Sequence, residues 1–159
     1  MGLDACVYCN CFERGELRSV PRPEWNVYLR EDGSRATDTD VLDELISFDA
    51  WNLKEACAHE RGELLHHRIG NIATVAFIRT ILDRFQSDFP IILTKVVYNG
   101  SHCCDFLKID AVRDLSSEIV QLMNVRGTNS KEEQFLRTFE HQLRELTECA
   151  LQMGKPIAF

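Results

Sequence analysis

The chain has 159 residues, of which 45% are hydrophobic, and its 25 acidic and 18 basic residues give a net charge of −7. A chain of this length can bury a full core without disulfides or metal, and its composition excludes disordered, collagen-like and membrane-spanning classes. Its basic residues are scattered singly, so we expect no binding to nucleic acid or to membranes and, instead, a protein partner that is itself basic.

The predicted elements begin with a strand over about residues 3–12, where apolar and polar side chains alternate. A loop with Gly and Pro follows, and residues 25–29 have the composition of a second short strand. The residues Thr37 to Asp40 are typical helix caps and predict a helix that extends to about Cys57.

In the middle of the chain, apolar residues over 71–89 are spaced by three or four, which predicts a largely buried helix. Pro90 ends this helix. The nearly continuous apolar run over 91–98 then predicts a central strand, and residues 105–109 predict another short strand.

The C-terminal third is mainly helical in pattern. Asp110 is a cap for one helix, and Ser130 with Glu133 forms a capping box for a long final helix that Gly154 ends. Residues 156–159 can add an edge strand. The fold expected for residues 1–159 is a single α+β domain with a small mixed sheet packed by about four helices, and the final helix could also mediate a homodimer.

The seven cysteines are expected to be reduced, buried thiols, as is usual in cytoplasmic proteins. Cys6, Cys9 and Cys11 have a spacing seen in metal and redox sites, but a strand would place Cys6 opposite Cys9 and Cys11. We therefore expect no cofactor. The alternative is a zinc site with Cys9, Cys11, Cys57 and His59 as ligands.

The densest group of polar and charged side chains lies over residues 57–71, between two predicted helices. Gly62 interrupts the segment, so it is not a zincin motif. We interpret it as a connection whose polar side chains satisfy helix ends, with a metal or polar functional site as the alternative. The candidate residues here are His59, Glu60, His66, His67, Arg68 and Asn71.

A second polar segment follows the predicted central strand, and its candidate residues are Tyr98, His102 and Asp105. Cys103 beside His102 has the ingredients of a thiol nucleophile, but such dyads usually come from distant segments. The chain has no phosphate-binding loop and no nucleophile elbow. We therefore assign no catalytic residue.

Four segments together resemble a family of small, uncharacterised bacterial cytosolic proteins. They are the opening MGLDACVYCNC, the HE…HHRIGN segment from His59, the VYNGSH turn from Val97 and the ending GKPIAF. The resemblance spans nearly the whole chain and implies a cytoplasmic bacterial protein, but it transfers no catalytic residues. By size and charge alone, such proteins are analogous to immunity proteins.

The function expected from these observations is binding, not catalysis. The leading hypothesis is a cytoplasmic, immunity-type protein that neutralises a toxin by protein–protein contact, with an acidic surface that steers a basic partner. The alternative is a small enzyme or metal-binding protein whose His, Glu and Asp side chains come together from the 59–71 and 98–105 segments.

Overall fold

The computed structural model describes residues 2–100 and 105–159 and has an α+β fold. Its strands are β1 (Gly2–Tyr8), β2 (Val27–Leu29), β3 (Arg35–Thr37), β4 (Glu63–Asn71), β5 (Phe106–Leu107) and β6 (Ile157–Ala158). Its α-helices are α1 (Leu42–Lys54), α2 (Ile72–Leu82), α3 (Ile109–Leu122) and α4 (Ser130–Met153). Short 3₁₀ turns occupy Glu60–Gly62 and Asp83–Phe85. None of the helices in the described ranges is long and apolar enough to cross a membrane.

The main sheet has the strand order β4-β1-β6-β5, and β2 and β3 form a separate two-stranded sheet. Every described pairing is antiparallel, so the prediction of a mixed sheet is wrong, although the α+β class and the four helices are confirmed. β6 lies between β1 and β5 and is not the edge strand that its position in the sequence suggested.

The main core lies between one face of this sheet and helices α2, α3 and α4. Leu3, Ala5 and Val7 point from β1 into it, because alternate residues of a strand face the same side. Leu136 and Leu143 on α4 are completely buried there. The apolar side chains that define the predicted helical spacing of the C-terminal third, such as Leu136 and Leu143, are therefore the ones that lie in the core.

A second, smaller core holds α1 near the β2–β3 hairpin. It consists mainly of Trp25, Phe48 and Trp51, whose ring centroids lie 5.7 to 6.4 Å apart. Aromatic rings at such distances add specific edge contacts to the burial of apolar area. Residues 9–62 thus contain an apolar cluster of their own beside the main core.

The predicted central strand over residues 91–98 is wrong. This segment forms a π-helical turn, Ile92–Val96, in which Ile92, Leu93 and Val96 are buried. The Glu118 carboxylate accepts the backbone N–H groups of Ile91 and Ile92 at 2.7 and 2.9 Å, in the manner of a helix cap. A short apolar run fits a buried helix as well as a buried strand. Here the Glu118 carboxylate on α3 accepts the N–H groups at the start of the turn, which favours the helical form.

The connection predicted over 57–71 is also wrong in its second half, because that half is strand β4. β4 pairs with β1 and is an edge strand of the main sheet, which allows polar side chains on its outer face. Conversely, β1 ends at Tyr8, four residues before the predicted end of the first strand.

The helix ends follow the predicted chemistry only in part. The predicted caps of α1, Thr37 to Asp40, and of α3, Asp110, are wrong, because these helices begin after Val41 and Lys108 without a side-chain cap. α4 is capped by Asn129, whose side chain accepts the N–H groups of Lys131 and Glu132, and not by Ser130. Asn71 caps α2 by accepting the N–H of Thr74 at 2.9 Å. Gly154 follows α4 with φ +66°, a left-handed conformation that glycine adopts without steric cost.

Candidate metal centre

The site begins where two distant segments meet at the end of β1. The N–H of Cys9 donates to the carbonyl of Gly62 at 2.8 Å, which holds the turn after β1 beside the turn before β4. Cys9 and Cys11 lie in the first turn, and Cys57 and His59 lie between α1 and β4. The three thiol sulfurs and one ring nitrogen all lie within 4.8 Å of one another.

Three of the six distances among these atoms are close to those of a tetrahedral zinc site. The Cys9 and Cys57 sulfurs are 3.9 Å apart, and Nδ1 of His59 lies 3.5 Å from the Cys11 sulfur and 3.9 Å from that of Cys57. A tetrahedron with Zn–S of about 2.3 Å and Zn–N of about 2.0 Å has S···S edges of about 3.8 Å and S···N edges of about 3.5 Å. The cluster could therefore hold a metal ion with little rearrangement.

The five described cysteines are free thiols, and four of them are buried as predicted. Their chemical environments differ. Burial, followed by the neighbouring sulfurs of Cys9 and Cys57, raises the pKa of Cys11 to about 12. Burial also opposes ionisation of Cys57, but hydrogen bonds from its surroundings, including Arg35, outweigh it and lower the pKa of Cys57 to about 7.

Arg35 is a neighbour of the cluster that the sequence interpretation missed. It is buried on β3, and its Nη1 donates to the Cys57 sulfur at 3.4 Å. Gly62 makes room for it, since a Cβ at Gly62 would lie 2.5 Å from Nη2 of Arg35 and the glycine has φ +74°. The Arg35 guanidinium beside Cys57 offsets the negative charge of a thiolate there. Residues that hydrogen-bond to metal ligands often have this effect in metal sites.

A signal for the cluster was present in the sequence. Cys9-x-Cys11 and Cys57-x-His59 are two ligand pairs with the same spacing, separated by almost fifty residues. Cys6 is in strand β1 and is not part of the cluster, as its strand position predicts. Cys9 and Cys11 follow the end of β1 at Tyr8, so the alternation of the strand does not fix where their side chains point.

The histidines of β4 point to opposite faces of the sheet. Nε2 of His67 lies 2.9 Å from the Glu145 carboxylate of α4, on the helical side. His66 is paired with Cys6 in the register, and its Nε2 lies 3.9 Å from the carboxylate of Asp4. The structure thus separates two imidazoles that are adjacent in sequence, and His59 belongs to the cysteine cluster.

The remaining candidate residues are spread over several places. Glu60 is exposed in the turn after His59, the Arg68 carbonyl accepts from Gln142, and Asn71 is the cap of α2. Tyr98 and Asp105 are brought together, with the phenol donating to the carboxylate. His102 and Cys103 lie outside the described residues.

Comparison with known proteins gave no match to a family model, a curated protein or a solved structure.

Proposed function

We propose that this chain binds one zinc ion through Cys9, Cys11, Cys57 and His59, and that the ion has a structural role. The observation that carries the proposal is the convergence of four ligand atoms from two segments to within 4.8 Å. Thiolate and imidazole are the ligands that zinc prefers, and three thiolates with one imidazole are a common structural set.

Two features favour a structural over a catalytic ion. Catalytic zinc sites keep one coordination position open for water or substrate, whereas four protein ligands fill a tetrahedron. The ligands also join two parts of the fold, because Cys9 and Cys11 follow strand β1 of the main sheet and Cys57 and His59 follow α1 of the small aromatic core.

The experiment is a metal count on the purified protein after dialysis. We expect one zinc per chain in the wild type, and a loss of most of it in Cys11→Ser and Cys57→Ser. Cys149→Ser is the matched control, because that thiol is half-buried on α4 and does not belong to the cluster. Equal zinc content in all variants, or none in the wild type, would contradict the proposal.

A second proposed function is protein binding of the immunity type in a bacterial cytoplasm, with a basic toxin as partner. It is supported by the net charge of −7 and by the acidic stretch around α1. An enzyme built on His59, His66 and His67 has less support, because these imidazoles are divided among the cluster and the two faces of β4.

Co-expression tests this second function. The neighbouring gene product is expressed in a susceptible host with and without the chain, and binding is measured with purified proteins. We expect restored growth and a stable complex. A toxic neighbour that is neither bound nor neutralised would contradict the immunity function but would leave the zinc proposal intact.

A further inference from the structure

The exposed side of helix α1 is unusually apolar. Leu42 is 70% exposed and Ile46 is 59% exposed, and they lie one turn apart on the same face. Ala50 and Leu53 continue this row by helical spacing, and both line a cleft of about 690 Å³ between α1 and the outer face of the main sheet. We call the row Leu42, Ile46, Ala50 and Leu53 the α1 stripe.

The α1 stripe lies in an acidic stretch of the chain, and Arg30, Arg35 and Arg61 also line the cleft beside Ala50 and Leu53. From Arg35 to Lys54 the chain carries five carboxylates and no Lys or Arg between these two basic residues. Glu44 is paired with Arg22 at 3.2 Å. The other four, Asp38, Asp40, Asp43 and Asp49, are exposed and form no ion pair with the part of the chain that the structure describes.

The apolar side chains of the α1 stripe do not belong to the small aromatic core. Phe48 and Trp51, on the other side of α1, are buried in that core, so the helix already has its interior face. A second apolar row on a surface helix is not needed for folding, and an exposed apolar patch with a polar rim is typical of a protein interaction site.

We infer that the α1 stripe is the docking surface for a basic amphipathic helix of a protein partner. Apolar side chains of the partner would pack on Leu42 and Ile46, and flanking Lys or Arg side chains would face Asp40, Asp43 and Asp49. This inference rests on the proposed protein-binding function, and it specifies the surface and the chemistry of the partner. A second copy of this chain is a poorer occupant, because it would bring the same carboxylates together.

The experiment uses the 159-residue, zinc-loaded chain and two synthetic helical peptides with the same leucine face, one with lysine and one with glutamate on its polar face. We expect only the lysine peptide to bind. Its binding should weaken with added salt and should shift the NMR signals of residues 38–53 more than those of the rest of the chain.

The double variant Leu42→Ser/Ile46→Ser should weaken binding by about tenfold or more, since apolar anchors at the centre of an interface contribute most to affinity. Val120→Ser/Met123→Ser is the matched control, because these two side chains are also exposed and lie about one turn apart at the end of α3, where Met123 is the residue that follows the helix. Asp43→Lys/Asp49→Lys, which changes only exposed side chains, should also weaken binding.

Several results would overturn the inference. They are equal binding of both peptides, signal shifts centred elsewhere, no binding, or no difference between the stripe and control variants. A concentration-dependent mass that Leu42→Ser/Ile46→Ser abolishes would assign the surface to self-association instead. Zinc content, measured on the same samples, separates failure of docking from failure of the metal site, and the co-expression test judges the immunity function separately.

Discussion

At the scale of single residues, the cluster explains why thiols that looked like packing residues occur at these positions. Cys9, Cys11 and Cys57 are buried, and a small apolar side chain would satisfy burial equally well. Burial does not explain His59, whose ring nitrogen points at two sulfurs. We therefore explain the presence of these four side chains by the proposed coordination of one metal ion and not by packing.

Substitution of the histidine provides the first prediction. His59→Cys preserves four ligands, so it should retain one zinc per chain, whereas His59→Ala should weaken zinc binding because one ligand is lost. Competition with a coloured chelator measures both affinities. A His59→Ala protein that holds zinc as tightly as His59→Cys would show that His59 is not a ligand.

At the scale of elements, the sequence predicts those helices whose apolar residues keep one period. α4 was recognised from its spacing because the same side chains that define the period are buried. The segment over 91–98 is helical and not a strand, and its first N–H groups are capped by Glu118, a residue distant in sequence, so the local pattern could not show the helix. β4 was missed because its pairing with β1 is likewise non-local, and its outer face is polar.

The cap of α4 gives a prediction about stability. Asn129→Ala should lower the free energy of unfolding by about 1 kcal/mol, because two N–H groups at the start of the helix lose their acceptor. Asn129→Ser, another good cap residue, should restore most of this loss. Urea unfolding of the three proteins measures the difference, and equal stability of all three would contradict the assigned cap.

The same helix end gives a prediction about pH. The N–H of Gly127 donates to the Glu133 carboxylate at 2.7 Å, and this bond, with nearby arginines, lowers the pKa of Glu133. A carboxyl with a lowered folded-state pKa stabilises the fold above its unfolded pKa of about 4.3, and this contribution is lost as the pH falls through the folded value.

Glu133→Gln should therefore be less stable than the wild type at pH 7, and the difference should shrink below about pH 4. Glu148→Gln on the same helix is the control, because Glu148 lies 4.0 Å from Arg144 and is largely exposed. Unfolding by urea at several pH values provides the measurement. A difference that does not change with pH would contradict the role of the charge.

At the scale of the whole molecule, the four residues of the cluster connect parts of the fold that otherwise have separate cores. Cys9 and Cys11 are separated from Cys57 and His59 by the whole β2–β3–α1 region. No local pattern in the sequence could show that these pairs meet, and only the antiparallel pairing of β1 with β4 brings them together. Residue type and spacing name these four side chains together as an alternative, whereas the strand pairing that brings them into contact is not readable from the sequence.

Chelation should therefore loosen the small core more than the main core. The chain has two tryptophans, Trp25 and Trp51, and both lie in the small core, so their fluorescence reports on it selectively. We expect a strong chelator to change the tryptophan emission, whereas the far-UV circular dichroism that α2, α3 and α4 give should largely persist. Added zinc should reverse the change. Simultaneous loss of both signals, or of neither, would contradict a local structural role.

The central claim is that one ion is coordinated by three sulfurs and one nitrogen of this chain. X-ray absorption at the zinc edge of the purified protein tests it most directly. We predict a first shell of three sulfur atoms at about 2.3 Å and one nitrogen at about 2.0–2.1 Å. A shell of oxygen and nitrogen atoms alone, or a protein that takes up no zinc, would contradict the account.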